Sequence, residues 1–269
     1  MIRGSAAAKL NLALVVGPRR DDGKHEVATL YQRIALTDRL EVRVSDTTAV
    51  DGFADDTLVR AALEALSSDG TRLAARLEKR IPVAAGLGGG SADAAAALQL
   101  GNALLPRPLP RDRLDEIAAA LGADVPFFLR DGPQFGTGDG TVLEPVDLPQ
   151  DYWVLLVVPH GAAKESTAAV YQRFDERGGD VGFADRRQAL DAALGQVRRS
   201  RDLASLPPND LASSPLAERM LQEGAFRADV TGAGPAVYGL FLHRRTAVAA
   251  RERLRRLGGT WLTAPAWYV

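Results

Sequence analysis

The chain has no cysteine among its 269 residues, which excludes a disulfide framework, a thiol nucleophile and a thiolate metal site. Its three histidines argue against a zinc site of the usual construction, and no metal site is assigned to its own side chains. Charge of one sign is also missing: 33 basic residues face 34 acidic ones, a formal net charge of −1. That balance gives no overall attraction to nucleic acid or an anionic membrane, so neither is expected as a partner. No apolar run approaches the ~20 residues of a membrane span, and a basic start followed by an apolar stretch and a cleavage signature is lacking. A cytoplasmic protein is expected. What remains is an ordinary globular composition, 46% hydrophobic and 25% charged, in a length that suits two modest domains or one large one.

The richest stretch is Ile81-Pro82-Val83-Ala84-Ala85-Gly86-Leu87-Gly88-Gly89-Gly90-Ser91-Ala92-Asp93, followed directly by an alanine-rich run. Glycines reach backbone angles that other residues avoid, and they leave N–H groups free to turn toward a ligand. Ser91 and Asp93 then open a strong helix former. A flexible turn running into a helix N-terminus binds anions, because unpaired N–H groups and the helix dipole point the same way. The natural guest is a nucleotide phosphate. With no lysine after the glycines, this is not the G-x-x-x-x-G-K-[ST] loop.

Periodicity supplies the other elements. Residues 6–16 alternate as a strand, with Leu10, Leu12 and Leu14 on one face. Lys9, Asn11 and Ala13 take the other, where Lys9 and Asn11 can reach one ligand. Residues 17–26 read as a polar turn, 27–36 and 38–44 as two further elements, and 57–66 as an amphipathic helix. Residues 73–81 form the strand entering the glycine loop, with Arg76, Glu78 and Lys79 facing solvent. Helices are predicted over 92–104 and 111–121, separated by Pro106, Pro108 and Pro110. Asp124, in Gly122-Ala123-Asp124-Val125-Pro126, either caps a turn or fixes a carboxylate over a cleft. Further on, 153–158 is a strand, Glu165-Ser166-Thr167 begins a helix, 177–185 is a loop, and 186–203 and 244–257 are helices. Thr167 and Tyr171 lie one turn apart and can face the same cleft. Trp261 and Trp267 are expected to pack.

Gly88-Gly89-Gly90-Ser91-Ala92-Asp93-Ala94-Ala95 resembles the central glycine-rich loop of the small-metabolite kinases that include galactokinase, homoserine kinase and mevalonate kinase. Within them it looks most like the diphosphocytidyl-methylerythritol kinases. Ala8-Lys9-Leu10-Asn11-Leu12 is similar to the family's first motif, with Ala7 where a proline is usual. Arg20, Asp22, Gly23 and His25 match R-x-D-G-Y-H, with Lys24 in place of the aromatic residue. Leu121 to Phe128, Gly136 to Gly140, Ser166 to Tyr171, Asn209-Asp210-Leu211 and Thr231-Gly232-Ala233-Gly234 follow in register.

The resemblance implies an α+β, two-domain fold: a ribosomal-protein-S5-domain-2-like domain over 1–149 and a ferredoxin-like domain over 150–269. It implies ATP, with Mg²⁺, along Pro82, Val83, Ala84, Ala85, Gly86, Leu87, Gly88, Gly89, Gly90, Ser91, Ala92 and Asp93. Lys9 and Asp124 become the catalytic pair. Asn11, Lys24, His25, Thr167, Tyr171, Thr231 and Gly232 become the substrate side, with the Lys24 ammonium turned to water or a diphosphate oxygen. The implied reaction is ATP-dependent phosphorylation of a cytidine-diphosphate-linked methylerythritol by a monomer or weak homodimer. The alternatives are a kinase of another small alcohol, such as homoserine or mevalonate, and a nucleotide-binding protein that transfers nothing.

Overall fold

Two long alternating segments, interrupted only by the polar turn near Arg20, form an antiparallel hairpin of β1 (Ile2–Arg19) and β2 (His25–Ser45). A computed structural model describes residues 1–53, 56–67, 70–162 and 166–266; Glu165 and Trp267 lie outside them. The segments read as two elements, 27–36 and 38–44, are one strand. Asp38, which breaks the apolar pattern, is fully buried there and accepts hydrogen bonds from the Arg80 and Ile81 backbone N–H groups. The free edge of β2 is shared. Its first half pairs with β5 (Gln134–Thr137) and its second with β4 (Arg72–Glu78). The short β3 (Ala49–Asp51) joins β4 in parallel, and β6 (Val142–Pro145) closes a hairpin with β5.

One face of this sheet is covered by α1 (Leu58–Leu66), α2 (Gly89–Asn102), α3 (Arg111–Leu121) and the single turn α4 (Val125–Phe128). The alanines of α2 make this possible. Ala94, Ala95 and Ala97 are fully buried among Val42, Leu63, Leu66 and Leu73, where larger side chains would hold the layers apart. The helix begins at Gly89, two residues before Ser91, because Gly88 takes a left-handed conformation and serves as the N-cap.

A second, wholly antiparallel sheet has the order β10-β7-β9-β8. Its strands are β7 (Trp153–Pro159), β8 (Arg227–Val230), β9 (Val237–Phe241) and β10 (Gly258–Thr263). Leu155, Val157, Val237 and Phe241 pack on α7 (Pro215–Gln222) and α8 (Arg244–Leu254). Val154, Leu156, Tyr238 and Leu240 face the opposite way, onto β1 and α6 (Phe183–Gln196). The helix α5 (Thr167–Glu176) lies over the end of the first hairpin. The predicted 177–185 loop therefore contains the start of α6. The predicted 186–203 helix is interrupted where Val197 turns extended, and a 3₁₀ segment (Ser200–Ser205) follows. No described helix is long and apolar enough to cross a membrane.

Candidate active site

The strand β1 carries the site, and an irregularity in it sets which residues face the cavity. Simple alternation places Leu14 with Leu10 and Leu12. The β1–β2 register slips between Asn11 and Ala13, so the faces exchange at that point. Ala13 and Val15 join Leu10 and Leu12 against the second sheet, while Leu14 turns toward Lys9 and Asn11. All three line a cavity of about 660 Å³. Its other walls are Ala84, Gly86, Gly88 and Ser91 from the glycine loop, Asp124 at the start of α4, Lys24 and His25, Thr167 and Tyr171 of α5, and Gly232 to Gly234.

Lys9 and Asp124 come together here. Lys9 Nζ lies 3.4 Å from Asp124 Oδ2; the lysine is buried and the carboxylate is one-third exposed to the cavity. Asn11 Oδ1 accepts a 2.6 Å hydrogen bond from Lys9 Nζ, and its Nδ2 donates to Thr29 Oγ1 at 2.8 Å. Asn11 thus aims the lysine and has its amide occupied. Asp124 stands at the N-cap position of α4, yet its side chain makes no capping bond. Both oxygens instead have partners in the cavity wall, since Oδ1 accepts from Tyr31 at 3.2 Å. Nothing in the pattern of residues 27–36 singles out Tyr31 for this contact.

The glycine loop contributes backbone. Gly86 (φ 82°) and Gly88 (φ 68°) are left-handed, and Ala84 (φ 56°) adopts the same region without being glycine. A Cβ on Gly86 would sit 2.3 Å from the Thr231 carbonyl oxygen, and one on Gly88 would meet Lys9 Cγ and Phe128 Cζ at 3.0 Å. The side chains of Ala85 and Leu87 are buried in the core, and their carbonyls accept from Ala236 and Lys9 N–H. Pro82, Val83, Gly89, Gly90 and Ala92 do not line the cavity either. The space beside Gly89 is occupied by Ile81 and Lys79, so its lack of a side chain serves packing.

Asp93 is the largest departure. It is fully buried and points away from the cavity, to Lys79 Nζ at 2.6 Å; Lys79 also donates to Asp38. Lys79 is therefore not a solvated surface charge. Burial pushes the Asp93 carboxyl up to about 8, with Lys79 opposing and Asp38 reinforcing the shift. Asp93 Oδ1 has no hydrogen-bond partner, which suits a neutral acid better than an ion.

On the substrate side, His25 is buried against Tyr171, ring centroids 4.8 Å apart, with its Nε2 2.7 Å from Asp175 Oδ1. Asp175 also accepts from Arg19 at 2.9 Å. Against a desolvation cost, these bonds hold its carboxyl below the usual range. The Lys24 ammonium pairs with Asp139 in the β5–β6 turn, and its side chain stays more than half exposed to water. Thr231 is fully buried, its Oγ1 accepting from Asn11 N–H at 3.0 Å and reaching Gly86 O at 3.4 Å, so it ties strand to loop. Gly232 does line the cavity, and its carbonyl accepts from Asn209 Nδ2 at 2.7 Å. Thr167 is exposed at the cavity edge, after Ser166 caps α5.

Residues 57–132 match the GHMP kinases N terminal domain and residues 202–259 the GHMP kinases C terminal domain. A 4-diphosphocytidyl-2-C-methyl-D-erythritol kinase of Geobacter sulfurreducens is 36% identical over 271 residues, covering 96% of each chain. The chain belongs to the 4-diphosphocytidyl-2-C-methyl-D-erythritol kinase family. A member from Salinispora arenicola is 39% identical, covering 91% of this chain and 84% of that protein. A crystal structure of 4-(cytidine 5'-diphospho)-2C-methyl-D-erythritol kinase superposes with a TM-score of 0.78 at 32% identity, covering 98% of this chain and 99% of that one. A mevalonate kinase crystal structure, at 13% identity and a TM-score of 0.75, shares the fold. The two-domain GHMP kinase architecture is thus common to the family and its more distant neighbours.

Proposed function

We propose that this chain transfers a phosphoryl group from ATP to the 2-hydroxyl of 4-diphosphocytidyl-2-C-methyl-D-erythritol, a step of the non-mevalonate route to isoprenoid precursors. The observation that carries this reading is one cavity with the Lys9–Asp124 pair in its wall, the left-handed glycine loop on one side and the His25–Tyr171 stack on another. We assign residues 1–149 and 150–269 to the two domains, since β6 ends at Pro145 and β7 begins at Trp153.

The glycine loop suits a nucleotide triphosphate: Gly86, Gly88 and Ser91 line the cavity, and α2 begins immediately after Gly88. Mg²⁺ would accompany ATP, held largely by phosphate oxygens and water. Mg-ATP supplies the phosphoryl group and neutralises much of its charge. Asp124 Oδ2 takes the proton of the substrate hydroxyl as its oxygen bonds to phosphorus and the bond to the ADP oxygen breaks. Lys9, 3.4 Å from Asp124, offsets the charge of the moving group, and Asn11 fixes where the lysine points. His25, held by Asp175, and the Tyr171 ring bind the cytosine. Lys24 bridges to Asp139 at the cavity wall, leaving Tyr171 as the broad face for stacking.

The test is product formation by purified protein with Mg-ATP across a panel of the cytidyl alcohol, homoserine and mevalonate. Preference for the cytidyl alcohol supports the reading. Preference for another alcohol refutes the substrate, and no transfer to any of them refutes the activity.

A further inference from the structure

Tyr31 sits on β2 opposite Asn11 of β1 and Gln134 of β5, in the middle of the sheet. Its ring is buried and stacks on Phe127, centroids 4.9 Å apart at 29°. Lys9 Nζ lies 5.5 Å from the ring centroid. Only the hydroxyl does polar work, donating to Asp124 Oδ1 at 3.2 Å. The glycines of the β5–β6 hairpin make room for it. A Cβ on Gly136 would lie 2.7 Å from Tyr31 Cε2, and one on Gly140 would lie 2.8 Å from the phenolic oxygen. The Gly136-Thr137-Gly138-Asp139-Gly140 segment, which carried no chemical assignment from the sequence, is thus shaped around this phenol.

We infer that Tyr31 is a positioning residue that pins Asp124 Oδ1 and leaves Oδ2, the oxygen beside Lys9, to receive the substrate proton. This rests on Asp124 being the base. A buried ring locked between Phe127 and two glycines holds its hydroxyl at one place, so the carboxylate it binds is held against rotation. The hydrogen bond also favours the ionised carboxylate, which is the form that can accept a proton. Burial, followed by the nearby Asp124 charge, keeps the phenol well above its ordinary pKa, so it stays a donor at every working pH. The charged or titratable groups facing this pair are Lys9 from β1, Tyr171 from α5 and Asp139 from the β5–β6 turn.

Tyr31→Phe keeps the ring and its stacking while deleting the donor. The expected result is a fall in kcat of about tenfold, the size of one hydrogen bond to a charged group, with the KM for ATP unchanged. The acid limb of the kcat–pH profile moves up. In the ligand-free protein, the Asp124 carboxyl carbon, followed by carbon-13 NMR, titrates at a correspondingly higher pH than in wild type. Asp124→Asn is assayed in parallel. If that variant is inactive while Tyr31→Phe leaves the titration and the acid limb where they were, Tyr31 merely packs and the inference falls. Turnover retained in Asp124→Asn would overturn the assignment of the base, and the inference with it. Thermal denaturation of Tyr31→Phe separates a folding defect from a chemical one, and the NMR titration reads the hydrogen bond without any turnover.

Discussion

Asp124 and Gly88 are single positions at which the proposed chemistry is most exposed to test. Asp124→Asn preserves shape and loses the base, so turnover should fall about a hundredfold or more with ATP affinity retained in isothermal titration. Gly88 has φ 68° and stands against Lys9 and Phe128. Gly88→Ala strains the backbone by about 1–2 kcal/mol and pushes Lys9, so turnover should drop about ten- to hundredfold in a protein that still folds. Gly89→Ala, whose Cβ would meet Ile81 and Lys79 instead, should show its effect mainly in the melting temperature. The reverse pattern would move the nucleotide off Gly88. Tyr171, which lines the cavity beside His25, is the aromatic proposed for the cytosine. Tyr171→Ala should raise the KM for the cytidyl alcohol far more than the KM for ATP. Lys24→Tyr should lower the former, because the Lys24–Asp139 pair it breaks is largely exposed on the lysine side and worth little. Equal changes in both Michaelis constants after Tyr171→Ala would make Tyr171 a packing residue.

At the scale of elements, Asp38, Lys79 and Asp93 join β2, the end of β4 and α2 just beneath the glycine loop. Asp93, raised to about 8 chiefly by burial, carries its proton in the folded protein across a range where the unfolded chain has lost it. Its contribution to stability is complete below the ordinary carboxylate pKa near 4 and disappears as pH rises through about 8. Urea denaturation between pH 5 and 9, run as about five steps, should therefore show stability declining with pH, and Asp93→Asn should flatten that decline. An unchanged slope in the variant would mean that Asp93 is ionised and paired with Lys79. The two sequence readings that failed here, Asp93 as a phosphate neighbour and Lys79 as a solvated charge, failed together. Each assigned a charged residue by its local surroundings, and each residue is buried by a partner from another element.

The whole molecule is held together by β1, which belongs to the first sheet and packs its other face on the second. Arg227 of β8 spans that junction. Buried, it donates to the carbonyls of Leu12, Leu203, Leu206 and Pro207 and to the Tyr238 hydroxyl, with Asp229 3.6 Å away. Arg227→Met would leave those carbonyls and Asp229 without their cation and should cost about 3–5 kcal/mol. A melting temperature within about 2 °C of wild type would show the junction to be held by apolar packing alone.

Local sequence by itself determined the glycine turn and its helix, the strand–helix order, the Lys9/Asn11 face and the unusual setting of Asp124. Each of these is written in neighbouring residues through backbone freedom, periodicity or helix termination. Tertiary structure decided the rest. The slip between Asn11 and Ala13 puts Leu14 on the cavity side, because a register belongs to two strands and cannot be read from one. Asp175 reaches His25 across 150 positions, and Tyr31 reaches Asp124 across 93. Nothing in the periodicity of either segment marks these pairs, since a hydrogen bond across such distances depends on where separate elements come to rest. Asp93 and Thr231 looked like ligand contacts for the same reason: their motif neighbours do line the cavity, but packing turned these two side chains inward, where their partners were already waiting.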